Sequence, residues 1–356
     1  MILQQSVFAG WAEDTIQQMS LDEKIGQLLM IAVPCNPERA TNRDRLFTLN
    51  LPTNLDKNFA TDMIRNYHVG SILYICEGTM PEQIAATNYF QQQSKYPLLI
   101  AQDLEPGLQR LEDLPHYPKA RTLGDRNDLE FTYSVGKQIG EQARSIGVHI
   151  VFAPVVDVQT CKENPVIHSR SFGADPQRVA DHGAALMHGL QDGGVVACAK
   201  HFPGHGDTTA DSHQALPTLN HALKRLEEVE FIPFKRVIDE GVDAVMLGHL
   251  MLPKIDAEYP SSLSSVFIQQ LLKNRLRFNG LIFTDALIMK ALSNYDQKDE
   301  AALRSLMVGA TVAVFPRNVE KSFEVIKEAV LKGAFSLGQL DSKVLLILKV
   351  KEHFLL

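Results

Sequence analysis

The sequence predicts an α/β protein that folds as a single (β/α)8 TIM barrel, and three observations lead to this fold class. Eight short runs rich in apolar and β-branched residues recur along the 356 residues. The runs are continuously apolar rather than alternating, which is typical of strands covered on both faces of a parallel sheet. Amphipathic segments of helix length separate the runs, so the number of strand and helix units matches a closed barrel.

The elements are assigned in chain order from these runs and from the spacing of apolar residues between them. Ser20 and Glu23 have capping-box spacing and predict a helix start before the first strand. Polar residues 36–57 predict a loop insertion, and residues 341–356 predict a terminal helix. The predicted strands are 28–33, 70–75, 97–102, 148–158, 195–200, 244–250, 281–285 and 311–315. The predicted helices between them are 81–94, 128–146, 176–190, 221–240, 264–276 and 320–331.

A doubly wound open sheet is the alternative architecture for this pattern. Its ligand crevice usually opens with a glycine-rich phosphate turn after an early strand, and the sequence contains neither G-x-G-x-x-G nor a P-loop. The length would also allow two domains, but α/β barrels with insertions reach this size as one. We therefore predict one barrel domain over residues 1–356 with a C-terminal helical extension.

Composition and charge argue against several classes of partner. The chain has 35 basic and 42 acidic residues without a basic stripe, so we predict no nucleic-acid partner. No apolar run approaches the roughly 20 residues of a membrane span, and the N-terminus lacks the pattern of a signal peptide. We therefore predict no membrane partner and a cytoplasmic location, while the sequence leaves the oligomeric state open.

Polar residues stand at or just after the C-terminal ends of five predicted strands. In a (β/α)8 barrel these ends form the active site, whereas the opposite ends serve stability. Carboxylates and histidines embedded in apolar runs are costly unless they are hydrogen-bonded or functional. The sequence therefore predicts a site at this rim, with candidates Asp103, Asp157, Lys200, His201, His249 and Asp285.

The segment 200–217 adds a glycine- and proline-broken loop that is dense in titratable groups, which is typical of a catalytic loop. A metal hydrolase could draw ligands from it, but the sequence has no H-E-x-x-H or similar spacing. An acyl hydrolase would need a G-x-S-x-G elbow, which is absent. A glycoside hydrolase needs one attacking carboxylate and one acid; Asp285 is available for the first role and the loop for the second. The possible metal ligands are His201, His205, Asp207, Asp211 and His213.

Residues 200–213 resemble the signature of bacterial β-N-acetylglucosaminidases of glycoside hydrolase family 3, the NagZ type. Stretches 23–28, 152–158, 170–176 and 283–291 are similar to further parts of that family in the same order, so the resemblance covers most of the chain. The signature stretch reads Lys200-His201-Phe202-Pro203-Gly204-His205-Gly206-Asp207-Thr208, followed by Asp211-Ser212-His213.

The resemblance implies a barrel and a retaining double-displacement mechanism without metal or other cofactor, acting on a saccharide such as a GlcNAc-containing glycan or muropeptide. It implies that Asp285 is the nucleophile, His213 the general acid/base and Asp211 its partner. On an extended segment, residues two apart project to the same side, so Asp211 can orient the His213 imidazole. Implied sugar-binding residues are Asp103, Arg110, Arg170, Lys200 and His201.

The chain departs from the family pattern just before Arg110. Pro106 stands where the family usually has glycine, which removes an N–H donor, and this segment is one residue shorter. We predict a retaining exo-β-N-acetylglucosaminidase that releases terminal GlcNAc. One alternative is a phosphorylase on the same scaffold, because histidine repels an incoming phosphate less than a carboxylate would. Another is a saccharide-binding protein without turnover, which Pro106 suggests.

Overall fold

The computed structural model describes residues 10–34, 56–75, 78–108, 111, 116–212, 215–296 and 299–355. Its parallel strands pair in the order β7-β6-β5-β4-β3-β2-β1-β8. A parallel bridge between Phe283 and Val312 joins the two ends of this order, so the sheet closes and the predicted (β/α)8 barrel is confirmed. The strands are β1 (Leu29–Pro34), β2 (Ser71–Ile75), β3 (Leu99–Gln102), β4 (Ile150–Val151), β5 (Val196–Phe202), β6 (Ala244–Leu247), β7 (Leu281–Thr284) and β8 (Ala313–Val314).

Helices surround the barrel in the order that the amphipathic segments predict. The capping box is confirmed, because Ser20 Oγ accepts from Glu23 N at 3.2 Å and Glu23 Oε2 accepts from Ser20 N at 2.8 Å. The helices are α1 (Trp11–Gln18), α2 (Leu21–Gln27), α3 (Lys57–Tyr67), α4 (Met80–Gln93), α5 (Ala120–Arg126), α6 (Leu129–Ser145), α7 (Pro176–Asp192), α8 (Leu223–Arg225, Leu226–Glu230 and Phe231–Asp239), α9 (Val266–Arg275), α10 (Ala301–Val308), α11 (Val319–Leu331) and α12 (Leu337–Leu355).

Several elements differ from the prediction, most clearly β4, α8 and α12. β4 spans only Ile150–Val151 instead of 148–158, because Pro154 has no N–H to donate to a sheet ladder. The chain contacts β5 further along, where Val156 N donates to Lys200 O at 2.8 Å.

Two helices differ from the prediction as well. α8 contains a π-helical turn, and α12 begins at Leu337, before the predicted residue 341. Helices α1, α5 and α10 are absent from the prediction because each has only seven or eight residues, and α3 is absent from it as well.

The C-terminal helix α12 closes the end of the barrel opposite the predicted site. The Lys351 side chain is buried there and donates to Gln27 Oε1 at 2.5 Å. The Phe354 ring lies 5.2 Å from the ring of His149, which precedes β4. α12 is therefore part of the hydrophobic core rather than an appendage.

Within the described ranges, no helix combines the length and apolarity that crossing a bilayer requires.

Candidate active site

The strand ends bring most of the predicted site residues to one rim of the barrel. Asp103 follows β3, and Asp285 follows β7. Lys200 and His201 are near the C-terminal end of β5. Arg170 ends a short 3₁₀ helix in the connection between β4 and α7. This is the C-terminal rim, where barrels carry their catalytic groups.

A cluster of two carboxylates and two cations, which we name the floor cluster, consists of Asp103, Glu105, Arg170 and Lys200. Lys200 Nζ lies 2.7 Å from Asp103 Oδ1 and 2.7 Å from Glu105 Oε1. Arg170 Nε and Nη2 donate to the two Glu105 oxygens at 2.7 and 2.6 Å. The bidentate pair fixes the plane of the guanidinium, so the cluster is a rigid polar surface.

Mutual attraction within the floor cluster favours the charged forms of Glu105 and Lys200. Burial would raise the pKa of Glu105, but the charges of Arg170 and Lys200 outweigh it and hold that pKa far below its ordinary value. Burial would likewise lower the pKa of Lys200, yet the carboxylates of Asp103 and Glu105 raise it. Only 2% of the Lys200 side chain is exposed, so this ammonium is held by its partners and not by water.

His201 is oriented from behind by the fully buried carboxylate of Asp157. His201 Nδ1 lies 2.7 Å from Asp157 Oδ2, while Asp157 Oδ1 accepts from the backbone N–H groups of His201 and His205 at 3.2 and 2.6 Å. On its other side, His201 Nε2 lies 3.4 Å from Arg170 Nη2. Because arginine only donates, this contact fits an imidazole that carries its proton on Nδ1 and its lone pair on Nε2.

Residues 203–212 form the described part of the loop after β5, which we name the acid loop. It lies directly on the chain after β4, because a Cβ on Gly206 would be 1.9 Å from Val158 O. Within the loop, His205 Nδ1 lies 2.8 Å from Thr208 Oγ1 and its Nε2 lies 3.2 Å from Ser212 Oγ. The far end of the loop contacts the segment after β7, where Ala291 N donates to Ser212 O at 3.3 Å.

A second set of contacts holds the outer side of the acid loop. Asp207 Oδ1 accepts from Thr160 Oγ1 at 2.6 Å, and Asp207 Oδ2 lies 2.9 Å from His221 Nε2. Thr160 belongs to the connection after β4 and His221 precedes α8. Asp207 therefore anchors the outer side of the loop through these two contacts.

Asp285 is half-buried at the end of β7. Its backbone N–H donates to Leu247 O at 2.8 Å, and its Oδ1 accepts from Ala286 N at 2.8 Å. The neighbouring His249 is fully buried and bonds Ser262 Oγ and Ala286 O at 2.7 and 3.1 Å. His249 thus holds the chain beside Asp285 from within the core. The bond from Ala286 N to Oδ1 fixes the orientation of the Asp285 carboxylate.

Two predicted site residues, His213 and Arg110, lie outside the described residues. Asp211 is described and half-buried, and its carbonyl accepts from Ala215 N at 3.0 Å. The roles predicted for His213, Arg110 and Asp211 stay predictions. So do the predicted sugar-binding roles of Asp103, Arg170, Lys200 and His201.

Sequence reasoning did not select Glu105, although this residue links Arg170 to Lys200. A signal existed, because Glu105 stands two residues after Asp103 in the Asp-x-Glu stretch. His205 was considered only as a metal ligand, and its two hydroxyl contacts could not be read from spacing. In the part of the chain that the structure describes, no three His, Cys, Asp or Glu side chains are grouped as a metal site would require.

Comparison with known proteins gives a match over most of the chain. A family model described as "Glycosyl hydrolase family 3 N terminal domain" matches residues 20–350. A β-hexosaminidase from Nitrosomonas eutropha is 35% identical over 75% of this chain and 79% of its own length. A protein from Cellulomonas fimi named β-N-acetylglucosaminidase/β-glucosidase is 28% identical over 96% of this chain and 59% of its own length.

Solved structures agree with this match. A glycoside hydrolase family 3 β-N-acetylglucosaminidase from Paenibacillus sp. superposes with a TM-score of 0.84 at 33% identity, over 95% of this chain and 63% of the other. A β-glucoside phosphorylase, BglX, superposes with a TM-score of 0.87 at 26% identity, over 97% and 60%. The chain therefore spans about three fifths of the length of several relatives.

Proposed function

Because this chain belongs to the glycosyl hydrolase family 3 N-terminal domain family, we propose that it is a retaining exo-β-N-acetylglucosaminidase. The observation that carries the proposal is the floor cluster, whose charged groups are held rigidly at the same C-terminal rim of the barrel as Asp285. Fixed charged donors and acceptors bind sugar hydroxyls and discriminate strongly against ligands that lack them. The names of the Nitrosomonas and Paenibacillus relatives support N-acetylglucosamine as the sugar.

In the proposed first step, a carboxylate oxygen of Asp285 attacks the anomeric carbon while the bond to the leaving oxygen breaks. His213, oriented by Asp211, gives its proton to that oxygen, and the aglycone alcohol departs. A glycosyl ester of Asp285 remains. In the second step, His213 takes a proton from water, the water oxygen bonds to the anomeric carbon, and the ester to Asp285 breaks. Two inversions return the β-configuration.

The floor cluster and His201 would hold the sugar during both steps. Asp103 and Glu105 oxygens accept hydroxyl protons, as does His201 Nε2, while Lys200 and Arg170 donate to hydroxyl oxygens. No step requires a metal ion, since Asp285 supplies the nucleophile and His213 the proton. We propose that muropeptides are the substrates and that the enzyme is cytoplasmic, as in the family it resembles; Arg110 is proposed as a further sugar contact.

The nucleophile is tested with Asp285→Asn. We expect turnover of an aryl β-N-acetylglucosaminide to fall about 10³-fold or more with the fold retained, and a mechanism-based fluorosugar to label Asp285 in the wild type. Asp243→Asn is the control, because Asp243 is a half-buried carboxylate at the opposite end of the barrel that accepts from Gln191 Nε2 and Ala197 N. Labelling of another carboxylate would refute the assignment.

The acid/base assignment is tested with substrates that differ in their leaving group. His213→Ala should slow poor leaving groups far more than activated aryl glycosides, whose departure needs little protonation. Asp211→Ala should show a weaker form of the same pattern. An equal loss on both classes of substrate would contradict the assignment.

A β-N-acetylglucosaminide phosphorylase activity on the same scaffold is the second candidate, and the neighbour named β-glucoside phosphorylase BglX supports phosphorolysis as the reaction. A histidine acid/base would repel an incoming phosphate less than a carboxylate would. Turnover that depends on phosphate and yields a sugar 1-phosphate would establish this activity. Saccharide binding without turnover of either kind would favour the binding-protein alternative.

A further inference from the structure

His205 is the buried histidine of the acid loop that the proposed reaction leaves without a role. Only 1% of the residue is exposed. It lies between His201 and His213 in the sequence, and its ring is 5.9 Å from the His201 ring. Its position between a proposed sugar-binding residue and the proposed acid suggests that it connects them.

Both ring nitrogens of His205 contact hydroxyl groups of its own loop. Thr208 Oγ1 lies 2.8 Å from Nδ1, and Ser212 Oγ lies 3.2 Å from Nε2. A neutral imidazole has one donor and one acceptor nitrogen, and a hydroxyl can take either role. Burial lowers the pKa of His205 to about 4, with the charge of His201 acting in the same direction and those of Asp157 and Asp285 opposing it. The ring is therefore neutral near pH 7 and keeps both contacts.

The backbone of His205 is fixed to the same carboxylate that orients His201. Asp157 Oδ1 accepts from His205 N at 2.6 Å, while Asp157 Oδ2 contacts His201 Nδ1 at 2.7 Å. Asn164 Nδ2 adds a bond to His205 O at 2.9 Å. His205 is thus fixed by hydrogen bonds to residues in the connection after β4, in addition to the contacts within its own loop.

Ser212 carries the contact onward to the segment after β7. Its carbonyl accepts from Ala291 N at 3.3 Å, and Ala291 belongs to the connection that starts with Asp285. Ser212 also stands between Asp211 and His213 in the sequence. Hydrogen bonds therefore connect Asp157 to His205, His205 to Ser212, and Ser212 to the segment that follows Asp285.

We propose that His205 is a positioning residue for the acid/base step, and that it acts by holding Ser212 and so setting the position of the adjacent Asp211, the proposed partner of the acid. This inference rests on the proposed function. His205 does not itself transfer protons to substrate, because its ring is buried and both nitrogens are occupied. Small misplacements of a catalytic group reduce rates strongly.

Two isosteric substitutions separate the contacts of His205. His205→Asn keeps a polar atom near Nδ1, and so the Thr208 contact, but cannot reach Ser212. His205→Gln keeps a polar atom near Nε2 and so the Ser212 contact. We expect the Asn variant to lose kcat on a poor leaving group by about 10- to 100-fold, with KM and the activated aryl substrate changed by less than roughly threefold. The Gln variant should recover most of the loss.

Ser212→Ala removes the same contact from the other side by deleting one hydroxyl, so it tests the inference even where a His205 variant folds poorly. The double variant His205→Asn, Ser212→Ala should be no slower than the slower single variant, because both remove one interaction. His149→Gln is the matched control: His149 is also buried, bonds Ile100 N at 3.0 Å, and lies at the opposite end of the barrel.

Three results would overturn the inference while wild-type turnover stays intact. They are an equal loss on both substrate classes, a Gln variant as slow as the Asn variant, and single losses that multiply in the double variant. A wild-type protein without glycosidase activity would instead overturn the proposed function and this inference together.

Discussion

Asp157→Asn is the substitution for which the structure gives the most definite expectation. The carboxylate is fully buried and receives three hydrogen bonds, from His201 Nδ1 and from the backbone N–H groups of His201 and His205. Asparagine can keep the oxygen that accepts the backbone bonds. Its amide NH₂, however, would face the N–H of His201 Nδ1, so two donors would meet and the imidazole would have to change tautomer.

The magnitude follows from the number and type of these bonds. A hydrogen bond to a charged group contributes about 1.5–3 kcal/mol, so the variant loses that much with the bond from His201 and keeps the two backbone bonds only as weaker bonds to a neutral oxygen, each worth about 1 kcal/mol. Asp157→Asn should therefore lower the free energy of unfolding by about 3–5 kcal/mol. At about 1.3 °C per kcal/mol for a chain of this size, Tm should fall by about 4–7 °C. KM should rise as well, because His201 loses its orientation.

The dependence on pH gives a second measure of the same effect. Burial would raise the pKa of Asp157, but its interaction with His201 and the backbone N–H bond from His205 outweigh burial and hold the pKa below its ordinary value. Its contribution is therefore complete above the unfolded-state pKa of about 3.9 and is lost as the pH falls through the lower folded-state pKa. The difference between wild type and variant should be constant from about pH 5 to 8 and shrink below about pH 4.

Chemical denaturation of both proteins at several pH values measures this difference directly. A loss below about 1 kcal/mol at pH 7 would refute the reasoning, as would a difference that grows in acid. Thermal melts and KM on an aryl glycoside serve as independent checks.

Three further predictions concern Glu105, Lys351 and the effect of removing metal ions. Glu105→Gln should raise KM by roughly tenfold or more, because Lys200 and Arg170 lose the carboxylate that orients both; an unchanged KM would contradict this. Lys351→Met should stabilise the protein by a few kcal/mol below pH 7, since burial lowers the pKa of Lys351 to about 7 and the buried charge is then unfavourable. Wild-type stability should rise from about pH 7 to 10 and the advantage of methionine should shrink over that range; a constant advantage would refute this. Exhaustive chelation should leave kcat unchanged, and a loss restored by Zn²⁺ would support the metal-hydrolase alternative.

The sequence predicts the barrel well because each strand is covered on both faces and reads as a continuous apolar run. Residues 281–285 and 244–250 match β7 and β6 closely, and the capping box at Ser20 is local chemistry that spacing reveals. β4 is predicted too long because an apolar run does not reveal where hydrogen-bonded pairing stops, and Pro154 ends it. Short helices such as α5 carry too few turns for a clear period.

The candidate site is predictable only where polar residues interrupt strand ends. Asp103, Lys200 and Asp285 interrupt or follow apolar runs, so their rim position could be inferred from sequence. The ion pairs of Glu105 and the hydroxyl contacts of His205 arise between segments that are distant in the chain. Asp157 combines both cases: its strand-end position is visible, but its three hydrogen bonds depend on how the acid loop folds back.

The floor cluster has a consequence for how the protein responds to salt. Its two carboxylates and two cations balance, so at a distance their fields largely cancel and a passing charged solute is neither drawn in nor repelled by them. What remains is short-range: each group acts only on an atom that touches it. Recognition of a neutral sugar by this surface should therefore be almost independent of ionic strength over a roughly tenfold range, in contrast to sites that gather ligands by net charge.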